Sequence, residues 1–310
     1  MRLPNVAFVF PGQGSQQVGM GRDLYDGCPE VRALFAEADE AVGYALSRVV
    51  LDGPEEVLRQ TANTQPAVLL VSVAVFRVLG LLPAVVAGHS LGEYSALVAA
   101  DAMGFRDAVR LVHKRGRYMQ EAVPEGDGVM LALIGAEPEN VRSAIAAVGG
   151  AVDVANYNAP GQIVIAGLRD PTLAAAERAG ARQVVELAVS APFHSRLMQP
   201  AEERLSADLD QVPFADLAMP LYNNVDARRI ITGPEARDGL KRQVSRPVRW
   251  TELIERMIGD EGVTTFVELG PGNVLSGLIR RIDRNARRFS VHDCATVESV
   301  RAALMRPSGP

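Results

Sequence analysis

Cysteine is nearly missing from this 310-residue chain. Cys28 and Cys294 are too few for a disulfide framework, and no Cys/His cluster has the spacing of a zinc or other metal site. That excludes the disulfide-stapled secreted class and points to a reducing, cytoplasmic setting. Lysine is almost as scarce: Lys114 and Lys241 stand alone among 32 basic residues, a bias read as that of a GC-rich genome rather than of a function. Positive charge is in deficit too, since 37 acidic residues leave a net charge of −5, which excludes a general nucleic-acid binder. No unbroken apolar run is long enough for a membrane span. The longest, Ala67 to Gly88, is interrupted by Arg77 and Pro83 and reads as a buried helix followed by a strand. The opening MRLPNVAFVF is too short an apolar run for a signal peptide. What is present, 48% hydrophobic and 22% charged residues, is ordinary globular composition, enough for one large domain with an insertion or for two domains.

Two nucleotide signatures also fail. Val6 to Phe10 is a short apolar strand that runs into Pro11-Gly12-Gln13-Gly14-Ser15-Gln16. The dinucleotide fingerprint would need a third glycine where Gln17 stands, and no Gly-Lys-Ser/Thr follows. The loop can still turn backbone N–H groups toward an anion, with Gln13 best placed between two glycines; the plainer reading is a tight turn.

The organising stretch is Val85 to Ala100, VVAGHSLGEYSALVAA. Ala84 to Ala87 has strand character, and Leu91 to Ala100 suits a buried helix. Gly88-His89-Ser90-Leu91-Gly92 lies between them, in the strand–turn–helix context that a nucleophile elbow requires. Glycines are needed because a β-carbon at position 88 or 92 would collide across so tight a turn, while Ser90 is held strained with its hydroxyl outward. The Leu91 amide, at the helix start, then faces a forming oxyanion. The bland alternative is a glycine-rich turn that uses Ser90 as a cap.

Phe105 to Ala122 has the spacing of an amphipathic helix, and Arg115 falls on its apolar face. An inward guanidinium cannot shed its charge, so it needs an anion, either an internal Asp/Glu or a substrate carboxylate. The other charges of this helix read as solvated. From Gly128 the pattern changes to strand 129–134, helix 138–148, strand 152–157, strand 162–166, helix 171–179 and strand 183–189. This βαββαβ order signals an inserted ferredoxin-like subdomain. Asn156 to Gln162 is expected to be a hairpin loop whose asparagines form turns.

A serine nucleophile needs a base, and only His89, His113, His194 and His292 exist. His89 diverges from its neighbour Ser90, His113 is mid-helix and His292 ends a late strand. His194, in the loop Ser190-Ala191-Pro192-Phe193-His194-Ser195 at a domain junction, is the best candidate, a capping role being the alternative. The last third returns to α/β alternation. It carries a basic cluster, Arg280, Arg281, Arg284, Arg287 and Arg288, either a solvated helix end or a dock for an acidic partner or CoA phosphates.

Seven motifs in order, PGQGSQ, GHSLGEYSAL, Lys114 to Pro124, NYNAPGQIVIAG, APFHS, QVSRPVRW and VELGPGNVLSGL, resemble the malonyl-CoA:acyl carrier protein transacylase family over roughly residues 3 to 292. The resemblance implies a large α/β-hydrolase-like domain with a parallel sheet and nucleophile elbow, 1–127 and 195–310, around the ferredoxin-like 128–194. It implies Ser90 as the acylated nucleophile, His194 as its base and Arg115 as the clamp on the malonyl carboxylate. The amides of Gln13 and Leu91 would form the oxyanion hole, and the Gln243 carbonyl would orient the histidine in place of a triad carboxylate. Phe193 and Asn158 would line the substrate pocket, the ring excluding methylmalonyl. Malonyl-CoA and phosphopantetheinylated acyl carrier protein are the implied substrates of a monomer with no bound cofactor and no metal, and the carrier is expected to dock near Arg280, Arg281 and Arg284. A discrete acyltransferase serving a polyketide synthase shares every motif. A serine hydrolase would have no use for an inward arginine, and a non-catalytic carrier-binding protein would leave Ser90 unacylated.

Overall fold

A computed structural model describes residues 2–124 and 126–305 of the chain. Its strands are β1 (Arg2–Phe10), β2 (Leu82–Gly88), β3 (Gly128–Ile134), β4 (Val152–Ala159), β5 (Gln162–Leu168), β6 (Gln183–Glu186), β7 (Leu221–Tyr222), β8 (Arg229–Ile230), β9 (Thr265–Leu269) and β10 (Arg287–Val291). Six of them form the main sheet in the order β10-β9-β1-β2-β7-β8. Every neighbour pair there is parallel except β7 and β8, so the architecture is α/β with a mixed, mostly parallel sheet.

Alternation along the strands divides the core in two. Val6, Phe8 and Phe10 of β1, with Val86 and Val267, face a cluster shared with residues of the helices Pro29–Val42, Thr61–Leu79, Gly92–Ala99 and Phe105–Glu121. Ala7 and Val9, with Val85, Ala87 and Phe266, face the opposite way onto Trp250, Leu253 and Leu275. Burial on both faces is why these strands read as continuous apolar runs. Thr61–Leu79 is, among the described residues, the one helix long and apolar enough to cross a membrane, and 78% of that window is buried inside the protein. It starts six residues before the apolar run that begins at Ala67 and carries Pro66 in its interior. Pro66 has no N–H to give the carbonyl of Ala62, and His113 Nδ1 occupies that acceptor instead at 3.0 Å. His113 is thereby assigned a structural partner.

The second sheet is antiparallel in the order β4-β5-β3-β6. Leu131, Leu133, Ile163 and Ile165 pack with Val141 and Ala175 of the helices Pro138–Val148 and Arg169–Arg178. The alternate residues Met130, Ala132, Val164 and Ala166 turn to the main core. The predicted βαββαβ order is present, with one change that matters. β4 continues to Ala159, so Asn156 and Asn158 are strand residues rather than turn formers, and the turn narrows to Pro160-Gly161, with φ 69° at Gly161. Val248 holds β4 there, accepting from Tyr157 N and donating to Ala155 O, both at 2.9 Å. Strand β7 ends at Tyr222 because the Asn223 side chain takes over local pairing, accepting from the amides of Asp226 and Arg228 at 3.3 and 3.2 Å. Helix Cys294–Met305 and strand β8 have no counterpart in the predicted pattern. Met1, Glu125 and residues 306–310, which the expected division assigns to the large domain, lie outside the described residues.

Candidate active site

β2 delivers Ser90 at the top of the sheet in the left-handed region, φ 52°. A β-carbon on Gly88 would stand 1.9 Å from the carbonyl carbon of Gly92, and one on Gly92 2.0 Å from the oxygen of Phe10, so the turn tolerates only glycine at both positions. Asn224 clamps the turn from the next strand's end. Its Oδ1 accepts from the Ser90 amide and its Nδ2 donates to the Gly88 carbonyl, each at 2.7 Å. The clamp residue was invisible to motif reading, since an asparagine after a short strand carries no spacing signal.

His194 meets this serine from the loop that follows the second sheet, itself held at φ 57°. Its Nδ1 lies 2.9 Å from the Gln243 carbonyl and 3.2 Å from that of Arg246. Carbonyl oxygens only accept, so Nδ1 carries the hydrogen and Nε2 presents a lone pair. Ser90 Oγ stands 2.7 Å from that Nε2. Burial, then the nearby Arg115 charge, pushes the His194 pKa down to about 3, so the ring is a neutral acceptor at physiological pH. Among the described residues no carboxylate forms an ion pair with His194. The other histidines stay apart from Ser90 Oγ. His89 turns to Asn158 Oδ1 at 2.9 Å and to the Trp250 ring at 5.4 Å, while His292 is exposed.

Arg115 is 1% exposed. The alternative left open by the sequence resolves against an internal salt bridge: its hydrogen-bond acceptors are Gln65 Oε1 at 2.8 Å, Gln243 Oε1 at 3.0 Å and Ser90 Oγ at 3.2 Å. Its Nε has no partner within the protein. A buried guanidinium held by neutral oxygens and one unsatisfied N–H is prepared for an anion. Ser90, Arg115 and His194 line one cavity of about 490 Å³, together with Gln13, Leu91, Asn158 and Phe193. The amides of Gln13 and Leu91 donate to no acceptor among the described residues, whereas the adjoining loop is fixed to the elbow by His89 N to Phe10 O at 3.0 Å. A separate cavity of about 590 Å³ lies on another side of His194 and is lined by neither Ser90 nor Arg115.

The arginine cluster stands on the helix Val274–Ile282 and just after it. Arg280, Arg281, Arg284 and Arg287 are exposed, and none pairs with a carboxylate among the described residues. Leu275 and Leu278 of the same helix line the cavity, whereas none of these arginines does. Beyond the expected set the site holds the buried polar side chains of Gln65, Glu93, Asn224 and Gln243. Glu93, in the first turn of the otherwise apolar helix Gly92–Ala99, was the only one of these with a legible signal.

A neutral imidazole that accepts a serine proton, beside free backbone amides, is the apparatus for acyl transfer through a serine ester. Fold and site together are those of an acyltransferase. Residues 7–301 match the family model described as acyl transferase domain. The chain is similar to the malonyl CoA-acyl carrier protein transacylase of Bacillus subtilis (strain 168), 45% identical over 305 residues and 96% of each chain. It is also similar to the solved structure of an acyl carrier protein S-malonyltransferase from Vibrio cholerae, with 46% identity, TM-score 0.92, and 96% and 99% of the two chains covered. A malonyl-transacylase solved in complex with a type II PKS acyl-carrier protein matches with 44% identity, TM-score 0.93, and the same coverage of 96% and 99%. The chain belongs to the malonyl CoA-acyl carrier protein transacylase family.

Proposed function

We propose that this protein moves a malonyl group from malonyl-CoA to the phosphopantetheine thiol of acyl carrier protein, by way of a malonyl ester on Ser90, to supply fatty acid synthesis. The observation that carries the reading is Arg115, buried and without a carboxylate partner, 3.2 Å from Ser90 Oγ in the same cavity. A dicarboxylic acyl group bonded through one end to Ser90 meets that guanidinium with the other.

His194 takes the Ser90 proton as Oγ attacks the thioester carbonyl. The amides of Gln13 and Leu91 hold the tetrahedral oxyanion. When it collapses the C–S bond breaks, the Oγ–C ester remains, and His194 returns its proton to the leaving CoA thiolate. The carrier thiol then attacks the ester, giving its proton to His194, and Ser90 leaves with that proton restored. The Gln243 carbonyl keeps the ring in the Nδ1–H tautomer throughout, which is why no triad carboxylate is needed. No step requires a bound cofactor.

Leaving a buried arginine without its anion costs about 3–5 kcal/mol, which sets discrimination against acetyl at roughly a hundredfold to a few thousandfold. Phe193 and Asn158 close the pocket around the α-carbon. Incubation with malonyl-CoA should add one malonyl mass to the intact protein, and Ser90→Ala should abolish it; an unmodified wild type would end the proposal. Subsequent loss of that mass to a carrier protein, against slow release of free malonate, separates a transferase from a hydrolase.

We further read the elbow as α/β-hydrolase-like and the small sheet as ferredoxin-like, supported by its strand order and its two helices on one face. The division is 1–127 with 195–310 around 128–194. We place the protein in the cytoplasm, supported by the free thiols of Cys28 and Cys294, and take it to be a monomer. The acidic carrier docks on Arg280, Arg281 and Arg284. Service to a polyketide synthase is the second reading, supported by the likeness to a transacylase solved with a type II PKS carrier. Transfer rates to fatty-acid and polyketide carriers distinguish the two.

A further inference from the structure

Arg115 could be aimed at its acyl substrate by a direct carboxylate partner, but a salt bridge would neutralise the charge that the substrate needs. Instead the chain places an amide between the guanidinium and a buried carboxyl group. Gln243 Oε1 accepts from Arg115 Nη2 at 3.0 Å, while Gln243 Nε2 donates to Glu93 Oε2 at 2.8 Å and to the Ser90 carbonyl at 3.0 Å. Glu93 Oε2 also accepts from the Asn224 amide at 3.0 Å, so the carboxylate is tied to the clamp that holds the elbow. Gln243, Glu93 and Asn224 are all buried.

An amide's two ends are nearly the same size, and its orientation is set by what surrounds it. A flipped Gln243 would point N–H groups at the guanidinium, donor against donor, and its oxygen at two acceptors. The carboxyl oxygen of Glu93 and the Ser90 carbonyl are the two acceptors that forbid this, because each would face the oxygen of the flipped amide. Helix Gly92–Ala99 therefore fixes the rotamer of a residue on helix Gly233–Gln243, which in turn fixes a guanidinium on helix Phe105–Glu121.

We propose that Glu93 is a positioning residue for Arg115: through the amide of Gln243 it holds the guanidinium beside Ser90 in the orientation that selects a carboxylated acyl group, without neutralising it. This rests on the reading of Arg115 as the malonyl clamp. Glu93→Gln keeps an acceptor oxygen for both donors and removes only the charge, whereas Glu93→Leu removes the acceptor. The ratio of malonyl to acetyl transfer, as kcat/KM for each, is the readout. Glu93→Gln should hold that ratio within about threefold of wild type, and Glu93→Leu should lower it at least tenfold with acetyl transfer little changed. A general weakening of the elbow would instead lower both acyl transfers alike, and that result, or an unchanged ratio in Glu93→Leu, overturns the proposal. If Glu93→Leu does not fold, Gln243→Met breaks the same connection at its middle, and equal loss of both acyl groups there counts equally against it. Arg115→Ala is measured alongside: an unchanged ratio there means the clamp reading itself has failed, whereas a collapsed ratio there with an unchanged one in Glu93→Leu refutes Glu93 alone.

Discussion

In the proposed function, Arg115 carries specificity through what it lacks. Its neutral acceptors leave an N–H unsatisfied, so the free protein stores an electrostatic demand that an acetyl group cannot meet. Arg115→Ala should lower malonyl transfer by roughly a hundredfold or more while acetyl transfer is spared or improved, measured as kcat/KM with each CoA ester. Equal losses would remove the clamp from the mechanism. Phe193 is nearly buried at 6% exposure and its ring lines the cavity with His194, where we propose that it acts by bulk. Because one methyl group is worth about 1–3 kcal/mol in a pocket, Phe193→Ser should raise methylmalonyl relative to malonyl transfer by roughly tenfold. Competition assays with the two esters read that ratio directly, and an unchanged ratio would show that the ring does not crowd the α-carbon.

At the scale of elements, the site depends on how closely two helices approach. A β-carbon on Gly116 would stand 2.5 Å from the Thr61 carbonyl oxygen and 2.8 Å from the Ala62 Cα, both backbone atoms that cannot swing aside. Gly116→Ala should therefore separate Phe105–Glu121 from Thr61–Leu79, at a cost of about 1–3 kcal/mol in denaturant unfolding. It should also loosen the Arg115–Gln65 contact between those helices, so the malonyl preference falls with stability; a stable variant with intact preference would contradict this. The exposed arginines at the end of Val274–Ile282 should act on encounter rather than chemistry. Arg280→Glu with Arg284→Glu should raise the KM for carrier protein more than that for malonyl-CoA, with an effect that shrinks as salt is added. Much of this level was legible in the sequence, because strand and helix periods are local and the elbow glycines announce a collision. Ser90, His194 and Arg115 were legible for related reasons: a rare turn, a scarce residue type at a junction, and a charge on an apolar face. Asn158 was assigned to a loop because asparagine favours turns, yet it lies within β4, whose residues on either side, Tyr157 and Ala159, pair with β5 and override that preference. Gln65, Asn224 and the Gln243 side chain were illegible because their meaning lies in contacts 50 to 153 positions away, which no local pattern encodes.

For the molecule as a whole, the site is a set of ionisable groups held away from water in opposite protonation habits. His194, pushed down to about 3 chiefly by burial, stays neutral in the folded chain across the range where an unfolded histidine binds a proton. Its contribution to stability is complete above the unfolded value near 6.5 and is lost as pH falls toward the folded one. Between pH 6.5 and 5 that loss is about 2 kcal/mol, and His89, also lowered by burial, acts in the same direction. Glu93 works against it. Desolvation raises its carboxyl to about 7, so the folded chain keeps a proton that the unfolded one has already released, and stability rises as pH falls from 7 toward 4.5. From pH 7 to 5 that gain is also about 2–3 kcal/mol, so the two effects nearly cancel in the wild type. The cancellation is exposed by removing one group at a time: between pH 7 and 5, His194→Gln should gain stability relative to wild type and Glu93→Gln should lose it, each by about 2 kcal/mol. Urea unfolding of the three proteins at the two pH values tests this, and curves that shift in parallel with pH would mean that neither group is held as its surroundings require.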